Sequence, residues 1–127
     1  MDVKLFKVKT IRENRGILNV VDFKDFPFFP KRFFYIYDSI RIRGGHAHYK
    51  TEQIFVCLNG YCIVFVDDGK DKKEFMLDSP DKMLYVPKLI WDSQKYGDGA
   101  VLGVFANTLY DKNDYIYDYE EFLNAVK

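Results

Sequence analysis

The chain lacks an excess of charge of either sign. Its 127 residues carry 19 Lys and Arg against 19 Asp and Glu, so the formal net charge is zero. Proteins that bind the nucleic-acid backbone need clustered positive charge. The balance gives no electrostatic case for nucleic acid as a partner, so we expect any anionic ligand to be bound by a local group of residues.

Long hydrophobic runs are also missing. The first ten residues, MDVKLFKVKT, contain no apolar run typical of a signal peptide, and no later stretch is long enough to span a membrane. We therefore expect a cytoplasmic protein without a membrane partner.

Cysteine is scarce, with two residues in the chain. Cys57 and Cys62 flank Asn59-Gly60, a pair that predicts a two-residue β-hairpin turn. Such a hairpin would place the two cysteines opposite each other, and in a reducing cytoplasm we expect free, buried thiols. Two cysteines alone do not make a metal site.

Aromatic residues, by contrast, are abundant at 18% of the chain. They suit half-buried β-sheets, and eight to ten short segments of this type alternate with turn signals. The pattern predicts an all-β fold, a small antiparallel barrel or sandwich, with residues 1–127 forming a single domain. Tyr119 to Val126 has apolar residues on one side at helical spacing and predicts a short C-terminal helix.

Both histidines lie in one stretch, RGGHAHYK at positions 43–50. His46 and His48 are two residues apart, so on a strand they point to the same face. Each buried imidazole needs a hydrogen-bond partner, which makes the pair a poor choice for plain core. We expect them to line a cavity, where Gly44 and Gly45 would let a ligand approach the backbone.

This stretch resembles the first motif of cupins, a family of small jelly-roll barrels. The usual motif supplies two histidines and a glutamate as metal ligands, but here Gln53 stands at the glutamate position. Asp92 stands where the second motif, after Pro87, usually has a third histidine. Because two of the four usual ligands are altered, we expect no metal site. His46, His48 and Asp92 would nevertheless make a two-histidine, one-carboxylate set, so a metal-dependent cupin oxygenase stays open.

Five motifs in order give a more specific resemblance: RGGHAHYK, LNG, DDG, LYVPKLIW and YDKNDYIYDYEEF. Together they are similar to the dTDP-4-keto-6-deoxy-D-glucose 3,4-ketoisomerases, the WxcM-like and FdtA-like sugar-nucleotide cupins. The resemblance runs from Arg15-Gly16 to Phe122. It implies a cupin barrel without cofactor, a homodimer that exchanges N-terminal strands, and a dTDP-linked 4-keto-6-deoxy sugar as substrate. It also implies a place in 3-amino-3,6-dideoxyhexose biosynthesis, for lipopolysaccharide, S-layer glycans or antibiotics.

The reaction moves a ketone from C4 to C3 through an enediol, and needs a base with a pKa near neutrality. The resemblance implies His48 as that base and His46 as a supporting donor or second proton carrier. Tyr35 would donate a hydrogen bond to a sugar oxygen, and Arg43 would bind diphosphate through its planar fork. Further expected substrate contacts are Arg15, Gly16, Arg32, Gln53 and Trp91, although Trp91 could equally pack in the core.

The configuration at C4 follows from which face receives the proton. In the gluco chair the C3 hydrogen lies on the lower face, and its return to C4 on that face gives the galacto product. One imidazole could serve both steps, so the galacto product is favoured and the gluco product is second. Two further alternatives stay open: a nucleotide-sugar 3,5-epimerase, and a sugar-binding cupin without catalysis.

Overall fold

The computed structural model describes all residues from Met1 to Lys127, and its main elements are two five-stranded antiparallel sheets. The first sheet has the order β1-β9-β6-β11-β4 and contains β1 (Lys4–Lys7), β9 (Lys82–Val86), β6 (Gln53–Asn59), β11 (Val101–Ala106) and β4 (Arg32–Ile36). The second has the order β12-β5-β10-β7-β8 and contains β12 (Tyr115–Ile116), β5 (Arg43–His48), β10 (Trp91–Tyr96), β7 (Cys62–Asp67) and β8 (Lys72–Leu77).

The remaining elements lie outside these two sheets. Strands β2 (Lys9–Glu13) and β3 (Gly16–Val20) form a two-stranded sheet of their own. Helix α1 (Tyr119–Ala125) is short, and the Asp118 side chain caps its N-terminus by accepting a hydrogen bond from the Glu120 backbone N–H. The predicted class is confirmed: an antiparallel jelly-roll barrel with one short C-terminal helix. No helix is long and apolar enough to cross a membrane.

The predicted hairpin at Asn59-Gly60 is wrong. Strand β6 pairs with β9 and β11, whereas β7 pairs with β8 and β10, so the chain passes here from one sheet to the other. Gly60 makes this turn at a φ of +70°, and a side chain on it would lie 3.0 Å from the Asp98 carbonyl oxygen. Tight turn chemistry alone cannot tell a hairpin from a corner between packed sheets.

The hydrophobic core lies between the sheets. Cys57 and Cys62 both belong to it as free, buried thiols, and burial raises the pKa of Cys62 to about 12. Along β6 the inward side chains change from Gln53 through Phe55 to Cys57, so one end of the barrel is polar and the other is apolar.

The outer faces of both sheets are partly covered as well. Phe26, from the loop that follows β3, packs on Ile54, Val56 and Met83 on the outside of the first sheet. Helix α1 covers the second sheet, where Phe122 packs with Ala47 and Ile116. Because β5 is covered outside at Ala47, its neighbours His46 and His48 point into the barrel.

Candidate active site

A cavity of about 390 Å³ opens at the polar end of the barrel. Both sheets and the segment before α1 contribute to its wall. The lining residues are Phe34, Ile36, Arg43, Gly44, His46, Gln53, Phe55, Asp92, Gln94, Leu102, Val104, Tyr110, Tyr115 and Tyr117. Apolar side chains thus surround a small set of polar groups, an arrangement typical of small-molecule sites.

The two histidines lie at this wall: His46 lines the cavity, and His48 lies directly behind it. Their ring centroids are 5.2 Å apart and their planes are nearly perpendicular. Tyr115, the partner of His48 in the β12–β5 pairing, packs on both rings at 4.5 Å from His48 and 5.2 Å from His46. The backbone N–H of Leu89 donates to the carbonyl oxygen of His48, which fixes the end of β5. The imidazoles are therefore held by packing on a rigid strand.

The surroundings keep His48 neutral. Only 3% of this residue is exposed, and burial lowers its pKa to about 4, helped by the positive charges of His46 and Arg32 against the opposing charge of Asp114. Burial also lowers the pKa of His46. The Nε2 atom of His48 is buried and has no hydrogen-bond partner. A neutral imidazole with an unpartnered ring nitrogen can accept a proton from a bound ligand.

Two ionic groups are arranged behind His48. Asp114 accepts hydrogen bonds from the backbone N–H groups of Lys50 and Thr51 at 2.7 and 3.2 Å, and from the Thr51 hydroxyl. Arg32 extends over the ring of Tyr110, at 5.9 Å, and its buried Nε has no partner. Asp114 is therefore fully occupied as a structural group, while Arg32 keeps a free donor.

Gly44 has a different role from the expected one. Its φ is +87°, and a side chain there would lie 2.8 Å from the carbonyl oxygen of Asp92 and 2.9 Å from Cα of Ser93. The glycine thus lets β5 approach β10, where the pairing register shifts between Asp92 and Ser93. A side chain on Gly45 would meet nothing within 4 Å, although its φ is +76°. Gly44 lines the cavity and Gly45 does not, so the open space at Gly45 lies outside the cavity.

The sequence left the role of Asp92 open. Asp92 lines the cavity and is the cross-strand partner of His46 on β5. It is 1% exposed, and burial raises its pKa to about 7. The Gln94 amide donates to Oδ1 at 2.5 Å, and Gln94 in turn accepts from the Tyr96 hydroxyl at 3.4 Å. No three His, Cys, Asp or Glu side chains are grouped closely enough to hold a metal ion. The two histidines and Asp92 therefore lie on one face of the second sheet without forming a metal-binding set.

The structure brings together part of the predicted site. His46, Arg43 and Gln53 line the cavity, and His48 and Arg32 lie directly behind the wall. Gln53 is buried at the start of β6, at the glutamate position of the usual motif.

The other predicted contacts lie elsewhere in this chain. Tyr35 is 61% exposed on the outer face of β4, because only its neighbours Phe34 and Ile36 point inward. Trp91 was expected to contact substrate, but it packs outside the second sheet against Tyr119 and Phe122 at 5.3 and 5.7 Å.

Arg15 also lies outside the cavity. Together with Gly16 it lies at the tip of the β2–β3 hairpin, where the Arg15 Nε donates to Glu13 at 2.9 Å. The expected substrate contacts of Arg15 and Gly16, like that of Tyr35, cannot be made with the cavity of the same chain.

Among the cavity residues missed from the sequence are three tyrosines: Tyr110, Tyr115 and Tyr117. Tyr115 and Tyr117 stack with ring centroids 5.5 Å apart, and Tyr117 lies 5.9 Å from His46. These tyrosines belong to the motif YDKNDYIYDYEEF, which was a usable signal but served only to establish the family resemblance. Its position depends on the pairing of β12 with β5, which the sequence does not specify.

An antiparallel barrel with two histidines at its polar end is typical of cupins. Comparisons with known proteins show which cupin family the chain belongs to. The family model described as "FdtA: WxcM-like, C-terminal" matches residues 1–127. The TDP-4-oxo-6-deoxy-alpha-D-glucose-3,4-oxoisomerase of Aneurinibacillus thermoaerophilus is 41% identical over 126 residues, covering 96% of this chain and 91% of that protein.

Solved structures agree with this assignment. WlaRA from Campylobacter jejuni, described as a TDP-fucose-3,4-ketoisomerase, is 42% identical with a TM-score of 0.92, covering 100% of this chain and 97% of its own. A mutant of the 3,4-ketoisomerase QdtA from Thermoanaerobacterium thermosaccharolyticum, solved with TDP-4-keto-6-deoxyglucose, is 32% identical with a TM-score of 0.94, covering 98% and 94%. The chain belongs to the FdtA, WxcM-like family, whose named members here are isomerases, and the resemblance drawn from the five motifs is confirmed.

Proposed function

We propose that this chain is a nucleotide-sugar 3,4-ketoisomerase that converts dTDP-4-keto-6-deoxy-D-glucose into the dTDP-3-keto-6-deoxyhexose. The observation that carries the proposal is the state of His48, a buried, neutral imidazole whose Nε2 has no partner, directly behind the wall of the barrel cavity. Relatives that share this fold over nearly their whole length are ketoisomerases of TDP sugars.

The chemistry needs one base and one site for developing negative charge. The C4 ketone acidifies the C3 proton, and His48 removes it to give an enediolate. The pKa of His48 is lowered to about 4, below the near-neutral value expected from the sequence, so the imidazole is unprotonated at neutral pH and can accept the C3 proton. His46, with its ring 5.2 Å away, is placed to support the enediolate as a donor or second proton carrier. The proton held by His48 then returns to C4.

Basic residues at the mouth would bind the diphosphate. Arg43 lines the cavity close to the histidines, and Arg32 keeps an unpartnered Nε beside Tyr110. A guanidinium donates two parallel hydrogen bonds to phosphate oxygens. Gln53, buried in the wall, supplies a neutral polar contact for a sugar hydroxyl. A charged glutamate at this position would instead favour a cation.

The galacto configuration is the product we favour, with the gluco product second. Return of the proton from His48 to the lower face of C4, the face from which the C3 proton left, gives the galacto sugar without a second donor. The 3-keto product would feed a 3-aminotransferase and lead to a 3-amino-3,6-dideoxyhexose for lipopolysaccharide, S-layer glycans or antibiotics. Its nucleotide-sugar substrate is a cytoplasmic metabolite, and we place the enzyme in that compartment.

A homodimer would account for the residues that lie outside the cavity. The β2–β3 hairpin pairs with neither large sheet, and its Ile17 and Leu18 are 62% and 58% exposed. Unpaired strands with apolar faces are suited to adding to the sheet of another copy. In such an exchange Arg15 and Gly16 would reach the cavity of the partner subunit, and the exposed outer face of β4, including Tyr35, would be covered.

Oligomeric state tests this arrangement. Light scattering of the wild type should give the mass of a dimer, and the double variant Ile17→Lys, Leu18→Lys should give a monomer. Leu109→Lys is the matched control, because Leu109 is also exposed, at 70%, but lies after β11 and far along the chain from the hairpin. A monomeric wild type, or a control that dissociates like the double variant, would contradict the proposal.

The activity is tested with the sugar itself. Incubation with dTDP-4-keto-6-deoxyglucose and a 3-aminotransferase, followed by NMR of the amino sugar, gives the position of the ketone and the configuration at C4. A 3-amino-3,6-dideoxy-galactose product is expected. A sugar that keeps its ketone at C4 with altered C3 and C5 configuration would identify a 3,5-epimerase instead, and an unchanged sugar would overturn the enzymatic proposal.

A further inference from the structure

The cavity contains a second titratable group that the His48 mechanism does not use. Asp92 is almost fully buried, and its two carboxyl oxygens have different environments. Oδ1 accepts the hydrogen bond from Gln94 at 2.5 Å, whereas Oδ2 has no partner in the protein. A buried polar atom without a partner is costly, and such atoms are uncommon in folded proteins. Because Asp92 lines the cavity, the partner that Oδ2 lacks is best supplied by a bound ligand.

The carboxyl is held in one orientation. Gln94 Nε2 binds Oδ1, and Gln94 Oε1 accepts from the hydroxyl of Tyr96, which lies in the apolar end of the barrel. In this row of hydrogen-bonded side chains along β10, Oδ2 of Asp92 is the buried oxygen atom that has no partner. Burial raises the pKa of Asp92 to about 7, so near neutral pH the group both holds and releases a proton readily.

Asp92 lies on the same face of the second sheet as the histidines. It is the cross-strand partner of His46 in the β10–β5 pairing. His48, two residues further along β5, is then a diagonal neighbour, for which Cβ atoms are typically about 7–8 Å apart. A hexose bound against this sheet face would place one carbon near His48 and the oxygens of C3 and C4 near Asp92.

The ketoisomerase reaction requires a second proton transfer besides the one between carbons. Carbon C3 loses a proton and C4 gains one, while oxygen O3 loses a proton and O4 gains one. His48 accounts for the carbon-bound proton. A second group must give a proton to O4 and take one from O3, and it must return to its starting state.

We propose that Asp92 is this second catalytic residue: its protonated Oδ2 carries the oxygen-bound proton between O4 and O3 of the sugar. As His48 takes the C3 proton, the C3–H electron pair forms the C3–C4 double bond and O4 takes the proton from Oδ2. As the C3 ketone forms, the Asp92 carboxylate takes the O3 proton and C4 takes the proton from His48. Both residues end in their starting protonation states, and no co-reactant is consumed.

Asp92→Asn tests the proposed proton transfer directly, because the Asn side chain has nearly the same shape as Asp. Its amide can donate a hydrogen bond to O4 but cannot release a proton and take one back. The inference rests on the proposed function, so the assay separates the two half-reactions. In heavy water, proton NMR of dTDP-4-keto-6-deoxyglucose follows loss of the C3 signal, which reports on His48, and appearance of the 3-keto sugar, which needs both transfers.

In the variant, we expect C3 exchange to stay within about tenfold of the wild type, while product formation falls by about 100-fold or more. Asp67→Asn is the matched control: Asp67 is also buried, but its carboxylate accepts from Gly69 and Tyr119 outside the cavity, so both rates should stay near those of the wild type. If Asp92→Asn does not fold, Asp92→Ser replaces it, with the same split of rates expected.

Equal rates in wild type and variant, or a parallel fall of exchange and product formation, would overturn the role of Asp92 alone. Absence of both exchange and product with the wild type would overturn the ketoisomerase proposal, and this inference with it.

Discussion

Replacing Asp92 should make the protein more stable above neutral pH. The pKa of this carboxyl is raised from its ordinary 3.8 to about 7 in the folded state, because burial disfavours the charged form. Between those two values the folded chain keeps a proton that the unfolded chain has lost. Stability therefore falls as the pH rises through this window, and the loss is complete above pH 7.

The size of the effect follows from the shift. A rise of this extent corresponds to about 4 kcal/mol, a large share of the 5–15 kcal/mol typical of whole domains. Asp92→Asn carries no ionisable group at this position and keeps the contact with Gln94. The variant should match the wild type near pH 4 and exceed its free energy of unfolding by up to about 4 kcal/mol at pH 8.

Urea denaturation at several pH values between 4 and 8 measures this difference. All other titrating groups, including His48, are common to both proteins, so their contributions cancel in the comparison. A stability difference between variant and wild type that does not change with pH would refute the raised pKa of Asp92, as would a wild type that becomes the more stable protein as the pH rises.

Three further predictions concern the strand that carries the histidines and the isolated hairpin. His48→Asn should show the opposite pH dependence. Because the pKa of His48 is lowered to about 4 in the folded state, the wild type should lose up to about 3 kcal/mol of unfolding free energy relative to the variant as the pH falls from 6.5 to 4. The same urea series measures this loss. Gly44→Ala should lower the free energy of unfolding more than Gly45→Ala. Both residues have a positive φ, which costs about 1–3 kcal/mol for a residue with a side chain, but only at Gly44 would the added methyl group meet the β10 backbone. Equal losses in the two variants would contradict the close approach of β5 to β10. The double lysine variant at Ile17 and Leu18 should lose ketoisomerase activity together with dimerisation, since Arg15 would no longer reach a partner cavity; a fully active monomer in light scattering and turnover assays would contradict this.

The sequence was sufficient for the fold class because alternation and turn residues are local signals. It was insufficient at Asn59-Gly60, where the same turn residues join two sheets instead of two paired strands. Which strands pair depends on contacts far apart in the chain, and a turn motif carries no information on them.

The same limit explains the outcome at the site. His46 and His48 could be placed together because their spacing decides that they share a strand face. Trp91 was expected to contact substrate, yet alternation puts Trp91 and Asp92 on opposite faces, and only the core packing shows that Asp92 is the inward one. The tyrosines of the 110–117 segment reach the cavity through the β12–β5 pairing, a long-range contact.

Exchange of the C3 proton of dTDP-4-keto-6-deoxyglucose in heavy water, compared between the wild type and His48→Asn, tests the central claim most directly. Exchange and a 3-keto product are expected with the wild type. In the folded variant both should fall by about 100-fold or more, while TDP binding is retained. Wild-type protein that binds TDP without exchanging this proton, or a His48→Asn variant that exchanges it at the wild-type rate, would contradict the account.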